Sequence, residues 1–239
     1  MKLKHAVYCG TREVYDDMNT SAKSLYANSD VNYIWFLIED DEFPVELPSF
    51  VETINVSKQK WFKPDGANSN TPYTYMTMVR AALCHVLPDL GKVLSLDTDT
   101  ICVADASDVW NIDIEDCYLA ATPELWARKR PGLFYCNTGV SLFNLDELRD
   151  GKADEIIEVL NRHYFRWPEQ DAINYLCQGR IAHMSAIYNW CPWVIHGDET
   201  RPRIIHYAAR DDWRDEQVVV QYRAMTWNEA IRRHDQLSH

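Results

Sequence analysis

Apolar residues in the first hundred positions fall into short runs that are typical of strands. Residues 33–38 are nearly all apolar and aromatic, as expected of a strand buried on both faces, and residues 51–56 alternate like a half-buried strand. Residues 5–9 and 92–96 are shorter β-prone runs. The pattern therefore predicts four strands before residue 100.

Helical spacing separates these runs. Met18, Ala22 and Leu25 recur at intervals of three and four residues, and residues 74–87 continue a helical pattern that Pro88 ends. The resulting β-α-β order predicts an α/β fold with a mostly parallel central sheet and helices on both of its faces.

The second half of the chain is less regular. Its predicted strands cover residues 117–121, 139–143 and 203–207, and its predicted helices cover residues 153–164, 168–176 and 229–236. The helix over 153–164 is amphipathic, with Ile156, Leu160 and Tyr164 on its apolar face. A Pro- and Asn-rich stretch over residues 63–72 predicts a mobile loop. No repeat or linker divides the chain, so we expect one domain over residues 1–239.

Composition and charge narrow the classes of partner. The chain has 239 residues, of which 46% are hydrophobic and 12% aromatic, which fits a globular protein. No apolar run approaches the roughly 20 residues needed to span a bilayer. The formal net charge of −12 argues against a nucleic acid or an anionic membrane as the main partner. A phosphorylated ligand would then need a metal ion or local basic groups.

The cysteine pattern favours a reducing compartment. Seven cysteines are scattered, mostly within apolar stretches, and no Cys-x-x-Cys pair occurs. An odd number of cysteines in this arrangement is typical of free buried thiols in the cytosol. The short polar-flanked N-terminus does not resemble a signal peptide, so we expect a cytoplasmic protein.

Asp97 and Asp99 directly follow the predicted strand over residues 92–96. In open parallel sheets, ligands bind beyond the carboxyl ends of the strands. No basic residue stands between Leu94 and Val103, so the two carboxylates would repel each other unless a cation such as Mg²⁺ or Mn²⁺ joined them to phosphates. The alternative is a turn in which an Asp side chain bonds the backbone.

Three further segments carry candidate chemistry. Asn137 and Gly139 precede a β-prone run, where Asn can bond sugar hydroxyls and Gly permits close approach of a ligand. Residues 169–171 place polar groups in the first turn of a helix. His206 ends an apolar strand and is a plausible third metal ligand. Each segment also has a purely structural interpretation. Asn137 and Gly139 would form a turn before a strand, the acids within residues 169–171 would complement a helix dipole, and His206 would be a core histidine.

These four segments, in this order and spacing, resemble the family 8 glycosyltransferases, which include bacterial lipopolysaccharide galactosyl- and glucosyltransferases and the glycogenins. The resemblance covers nearly the whole chain, from Ala6 to Trp213. It is carried by Arg80 with Leu96-Asp97-Thr98-Asp99, by Asn137-Thr138-Gly139-Val140, by Gln170-Asp171 with Asn174, and by Ile205-His206-Tyr207.

The resemblance implies a GT-A fold. A Rossmann-like nucleotide-binding half, over about residues 1–103, would be joined to a smaller acceptor-binding half over about residues 104–239. The implied activity is a metal-dependent, retaining hexosyl transfer from UDP-glucose or UDP-galactose to a glycan or another hydroxyl acceptor. The implied metal is Mn²⁺, with Mg²⁺ as the alternative.

The same resemblance assigns site residues. Asp97, Asp99 and His206 would hold the metal against the diphosphate. The donor-binding set is Cys9, Thr11, Tyr15, Arg80, Asp97, Thr98, Asn137 and Gln170, in which Tyr15 would stack on the base. Gln170 would lie near the anomeric carbon, with Glu169 and Asp171 completing the catalytic set. Because Gln170 is a poor nucleophile, a short-lived ion pair is favoured over a covalent adduct on Asp171 or Glu169.

Two departures from the family pattern bear on function. Ala209 and Asp212 stand where the family carries a glycine and a diphosphate-binding lysine, and Arg210 or Arg214 is a candidate replacement for the lysine. Arg12 stands where an acid or amide usually precedes the tyrosine, and it could not accept the uracil imide hydrogen.

Other classes of protein remain open on the sequence. Asp212 in place of the lysine supports a non-catalytic protein that binds a sugar nucleotide or a glycan, whereas the intact Asp97, Asp99, His206 and Gln170 oppose it. A nucleotidyltransferase also uses metal-binding carboxylates, but it normally shows a Gly-rich phosphate loop near the N-terminus.

Two aromatic clusters are either acceptor-binding surfaces or core packing. They comprise Trp61, Phe62, Tyr73 and Tyr75, and Tyr188, Trp190 and Trp193.

Overall fold

A seven-stranded mixed sheet organises the chain in the computed structural model, which describes residues 3–71, 73–124, 134–193 and 201–237. The strands are β1 His5–Cys9, β2 Tyr33–Ile38, β3 Val51–Asn55, β4 Lys92–Leu96, β5 Thr100–Cys102, β6 Leu119–Pro123, β7 Cys136–Asn144, β8 Ile181–His183 and β9 Ile204–His206. The sheet order is β3-β2-β1-β4-β7-β6-β8, and β5 pairs with β9 in a separate ribbon.

Most neighbouring strands are parallel. The pairs β1–β2, β1–β4, β2–β3 and β6–β8 run parallel, whereas β7 is antiparallel to both β4 and β6. The mostly parallel α/β sheet predicted from the β-α-β order is therefore confirmed.

Helices cover both faces of the sheet. They are α1 Tyr15–Ala27, α2 Tyr75–Met78, α3 Leu83–Val86, α4 Leu145–Arg149, α5 Lys152–Arg162, α6 Pro168–Leu176, α7 Gln217–Ala224 and α8 Trp227–Leu237. Ala6 and Tyr8 of β1 pack into a core shared with α1, α7 and α8. Val7, between them, packs into a second core with α2 to α6. The alternation of side chains along each strand thus buries both faces.

Two predicted helices differ from the structure. The helix predicted over residues 74–87 is interrupted by a 3₁₀ turn at Val79–Ala82, which contains the buried Arg80. The helix predicted over 153–164 ends at Arg162, and Tyr164 is 69% exposed. It ends there because the Asn68 amide donates to the carbonyls of Leu160, at 2.5 Å, and His163, at 2.8 Å.

The stretch predicted to be a mobile loop is attached to α5 in its described part, residues 63–71. Asn68 is 1% exposed, and its Oδ1 accepts the Phe165 N–H at 2.9 Å. The Asn161 side chain accepts the Lys63 N–H at 2.9 Å, and the Asn161 carbonyl accepts the Ala67 N–H at 3.0 Å. Side-chain amides therefore replace regular secondary structure in fixing this segment.

Two predictions from composition can be compared with the structure. Each of the seven cysteines, all of which the structure describes, lies outside any disulfide bond, and Cys84, Cys102, Cys136 and Cys177 are buried. Among the described residues, no helix is both long and apolar enough to cross a membrane.

Candidate active site

A cavity of about 880 Å³ lies at the carboxyl ends of β1 and β4, the place where α/β sheets bind ligands. All but two of the site residues predicted from the sequence line it. They are Cys9, Thr11, Arg80, Asp97, Thr98, Asp99, Asn137, Glu169, Gln170 and His206. Tyr15 and Asp171 are not among the lining residues.

Asp97, Asp99 and His206 form a possible metal site on one side of this cavity. The β5–β9 ribbon pairs Thr100 with His206, and the Tyr207 N–H donates to the Asp99 carbonyl at 2.9 Å. His206 Nε2 consequently lies 3.4 Å from Asp99 Oδ1 and 3.5 Å from Asp97 Oδ2. One ligand atom from each residue lies within 4.8 Å of the others. Two carboxylates and an imidazole fit a divalent cation.

Gly139 is the neighbour that lets His206 reach the carboxylates. A Cβ at this position would lie 2.1 Å from Cε1 of the His206 ring, closer than any real contact. The sequence suggested that Gly139 admits a ligand, and in the structure the close approach is made by His206. The Gly139 carbonyl also accepts the Asp97 N–H at 2.7 Å, so β7 holds both sides of the cluster.

Asn189, which the sequence analysis passed over, contacts His206 directly. It is 7% exposed, and its Oδ1 lies 2.8 Å from His206 Nδ1. Its Nδ2 donates to Asn137 Oδ1 at 2.9 Å. A single amide in a loop has no periodicity, so no sequence signal marks it.

Arg80 links the possible metal site to Glu169 at the start of α6. Its Nη1 donates to Asp97 Oδ1 at 2.7 Å and to the Thr138 carbonyl at 2.9 Å, and its Nη2 donates to Glu169 Oε2 at 2.9 Å. Although burial alone would raise the pKa of Asp97, Arg80 and then His206 hold it well below its usual range. Burial by itself would lower the pKa of His206, but Asp99 and Asp97 raise it to about 10.

Glu169 is fully buried at the start of α6 and borders the cavity. Its Oε2 accepts hydrogen bonds from Arg80 and from the Thr138 hydroxyl, each at 2.9 Å. No described protein group bonds its Oε1. Burial raises the pKa of Glu169 to about 7, against the opposing effect of Arg80.

Gln170 and Asp171 point to different surroundings, although they are adjacent in α6. Gln170 lines the cavity, where its Oε1 accepts the Thr138 N–H at 3.1 Å. Asp171 instead accepts the Tyr135 hydroxyl, and it accepts the Trp167 N–H at 2.9 Å. Asp171 thus bonds the chain entering α6, and Gln170 remains next to the cavity.

Tyr15 packs away from the cavity. It is 2% exposed, its ring lies 5.0 Å from that of Phe43, and its hydroxyl accepts the Glu39 N–H at 2.9 Å. Stacking on a nucleobase would require a face of this buried ring to become accessible. Arg12, which breaks the family pattern nearby, is ion-paired with Asp40.

Residues 209–214 depart from the family pattern, and the negative charge of Asp212 in this segment is neutralised by a neighbouring arginine. Asp212 does not line the cavity, and its carboxylate pairs with Arg210 at 2.5 Å. Ala209 adopts φ of 59°, a left-handed conformation that glycine takes more readily. Arg214 lines the cavity, and its Nε donates to the buried carboxylate of Asp17 at 3.0 and 3.1 Å.

The two candidate aromatic clusters are split by the fold. Tyr73 and Trp193 border the cavity and are 38% and 45% exposed. Phe62 and Tyr188 are buried, at 5% and 6% exposed, and belong to core packing. Trp167, which was not singled out from the sequence, also lines the cavity.

Comparison with known proteins identifies the family. The sequence profile described as "Glycosyl transferase family 8" matches residues 5–215. A Haemophilus influenzae protein, provisionally named a glycosyltransferase, is 26% identical over an alignment of 129 positions that covers 48% of this chain and 39% of the relative. The chain thus spans well under half of that relative's length.

Solved structures share the fold. The glycosyltransferase GlyE of Streptococcus pneumoniae superposes with a TM-score of 0.74 at 20% identity, covering 100% of this chain and 64% of GlyE. The galactosyltransferase LgtC, solved with donor and acceptor sugar analogs, superposes with a TM-score of 0.70 at 18% identity, covering 95% of this chain and 99% of LgtC. At these identities the likeness shows the GT-A fold, as the resemblance had implied.

Proposed function

We propose that this chain, which belongs to glycosyl transferase family 8, transfers a hexose from UDP-glucose or UDP-galactose to a hydroxyl acceptor, with retention of configuration and with Mn²⁺ as the metal. One observation carries the proposal. The Asp97, Asp99 and His206 cluster shares a single cavity with the polar wall formed by Arg80 and Gln170. A diphosphate and a sugar could therefore bind side by side.

The charge of the cavity supports a metal requirement. Each arginine that lines it is already paired: Arg80 with Asp97 and Glu169, Arg210 with Asp212, and Arg214 with Asp17. A bound diphosphate would therefore meet carboxylates without a free cation among the lining residues that the structure describes. A divalent ion held by Asp97, Asp99 and His206 would supply positive charge to the leaving diphosphate.

Gln170 fits the reacting end of the donor. Its amide is oriented by the Thr138 N–H and by the Tyr135 hydroxyl, to which its Nε2 donates at 3.3 Å. A neutral amide can stabilise an adjacent cationic sugar centre without forming a stable ester. We infer an ion-pair path in which the acceptor attacks on the side that the diphosphate leaves. Asp171 is bonded elsewhere, which disfavours a covalent adduct on it.

The remaining site residues can be assigned to donor and acceptor according to the elements that carry them. Cys9, Thr11 and Thr98 border the end at β1 and β4, which we assign to the nucleotide, in keeping with a nucleotide-binding half over about residues 1–103. Asn137 and Glu169 also border the cavity, from β7 and α6, and we assign them to the donor sugar. We assign the acceptor, a glycan or another hydroxyl compound, to residues 104–239.

A second candidate function has one observation in its favour. Asp212 replaces the family lysine, and Arg214 is held by Asp17, so no described side chain offers an unpaired cation to the diphosphate. A protein with this arrangement could bind a sugar nucleotide or a glycan without turning it over.

Calorimetric titration of UDP, with Mn²⁺ or with chelator, tests the proposal. We expect binding only with Mn²⁺, its loss in Asp99→Asn, and wild-type binding in Asp65→Asn, which changes an exposed carboxylate outside the cavity. Release of UDP from UDP-glucose or UDP-galactose, followed by NMR, then separates the transferase from the non-catalytic candidate. Metal-independent binding, or equal binding by Asp99→Asn, would refute the metal-dependent mechanism.

A further inference from the structure

Asn189 lies between the possible metal site and a residue assigned to the donor sugar. It bonds His206, a possible metal ligand, and Asn137, a proposed contact of the donor sugar. All three side chains border the cavity. Asn189 therefore connects the site for the metal to the site for the sugar through two hydrogen bonds.

The hydrogen bonds define the orientation of each amide. The Gly139 N–H donates at 2.9 Å to Asn137 Oδ1, so this atom must be the amide oxygen. The Asn137 Nδ2 points the other way and donates to Glu124 Oε2 at 2.9 Å. Because Asn137 presents an acceptor, Asn189 must turn its NH₂ group toward it.

The orientation of Asn189 then selects the tautomer of His206. With its NH₂ group on Asn137, Asn189 presents only an oxygen to His206 Nδ1. An amide oxygen can only accept, so Nδ1 must carry a hydrogen. The lone pair of a neutral His206 is therefore on Nε2, the nitrogen that faces Asp97 and Asp99.

We propose that Asn189 is a positioning residue that holds His206 in the tautomer and orientation needed for metal binding and couples that ligand to Asn137. This inference rests on the proposed metal-dependent function. Partners that hold the second ring nitrogen of a ligating histidine generally contribute 10- to 100-fold to metal affinity. Because Asn189 bonds both side chains, removing it leaves both His206 and Asn137 free to reorient.

Two substitutions separate the two hydrogen bonds. Asn189→Ala removes both, and we expect it to weaken Mn²⁺ binding about 10- to 100-fold and to raise KM for the donor. Asn189→Asp can still accept from His206 Nδ1 but cannot donate to Asn137. We expect it to keep Mn²⁺ affinity within about threefold of wild type while KM for the donor stays raised.

The experiment measures free Mn²⁺ by electron paramagnetic resonance without donor, and then steady-state kinetics. Asn55→Ala is the control, because Asn55 is an exposed amide outside the cavity that bonds Asp41 and Ser57, and it should match wild type. Equal Mn²⁺ affinity in wild type and Asn189→Ala would overturn this inference alone, as would Asn189→Asp binding as poorly as Asn189→Ala. Failure of the wild type to bind Mn²⁺ would overturn the proposed function and this inference together.

Discussion

Single residues in this cavity are held in states that their type alone does not predict. Glu169 lies without solvent exposure between Arg80 and Thr138, and burial raises its pKa to about 7 from an ordinary value of 4.5. The folded state therefore holds a proton on Glu169 in a pH range where the unfolded chain has released it. Folding and titration are thus linked at this residue.

The stability of the wild type should fall relative to Glu169→Gln as pH rises from about 4.5 to about 7. The sign follows because the folded state binds more protons than the unfolded state in this window, so raising the pH favours unfolding. The difference should reach about 3 kcal/mol at most. Urea denaturation in the presence of chelator at several pH values measures it. A difference that stays constant between pH 5 and 8 would contradict the raised pKa.

Gly139→Ala should displace His206, because the new Cβ would lie 2.1 Å from the imidazole Cε1. We expect a loss of about 1–3 kcal/mol in the free energy of unfolding and at least a tenfold loss of Mn²⁺ affinity. Calorimetry and urea denaturation measure the two effects.

Gly91→Ala is the matched control for this prediction. Its Cβ would lie 2.6 Å from Oδ2 of Asp146, whose side chain is 70% exposed and can rotate away. This variant should keep wild-type metal affinity and lie within about 0.5 kcal/mol of wild-type stability. If Gly139→Ala behaved like Gly91→Ala, His206 would not depend on this close approach.

At the scale of elements, apolar periodicity predicted the strands of the central sheet well. Residues 5–9, 33–38 and 92–96 are strands at the predicted bounds, and α6 begins at Pro168 and ends at Leu176, as expected. Periodicity failed where side chains decide the local structure. The Asn68 amide ends α5 early, and β5 and β8 are only three residues long, too short to show a period.

Asn68→Ala should loosen residues 63–71. It removes two hydrogen bonds to the end of α5 and the acceptor for the Phe165 N–H, all from a buried amide. We expect the rate of amide hydrogen exchange in this segment to rise at least tenfold. This corresponds to a loss of about 1.4 kcal/mol in the free energy of local opening.

Exchange measured by mass spectrometry tests this prediction. Asn55→Ala is the control, since Asn55 bonds Asp41 and Ser57 away from this segment. Exchange over residues 63–71 that is already fast in the wild type would instead support the mobile loop that the composition predicted.

At the scale of the whole molecule, the end of the chain packs against its beginning. Tyr26 of α1 stacks on Phe50 at 4.0 Å and on His234 of α8 at 4.2 Å. Trp227 lies 5.7 Å from Phe50, and its Nε1 donates to Asn19 at 3.1 Å. This aromatic cluster joins α8 to α1 and to the segment leading into β3.

Trp227→Ala should lower the free energy of unfolding by about 2–4 kcal/mol, because it removes a partly buried ring and its hydrogen bond. Since β9 pairs with β5 and α8 packs on α1, we expect one cooperative transition, with circular dichroism and fluorescence curves that coincide. Tyr164→Ala, at a side chain that is 69% exposed, should stay within about 0.5 kcal/mol of wild type. Separate transitions would show that the two ends fold independently.

The sequence by itself determined the strands β1, β2 and β4, the α/β class and the presence of Asp97 and Asp99 at a strand end, because hydrophobic period and the order of elements along the chain can be read from local segments. Only the tertiary structure decided which distant residues meet these carboxylates. Pairing of β5 with β9 brings His206 to within 3.5 Å of both, Gly139 leaves room for the imidazole, and Asn189 bonds it. Such contacts depend on packing between segments that are far apart in the chain. The family resemblance predicted His206 as a ligand, but no local pattern predicted its contacts with Gly139 and Asn189.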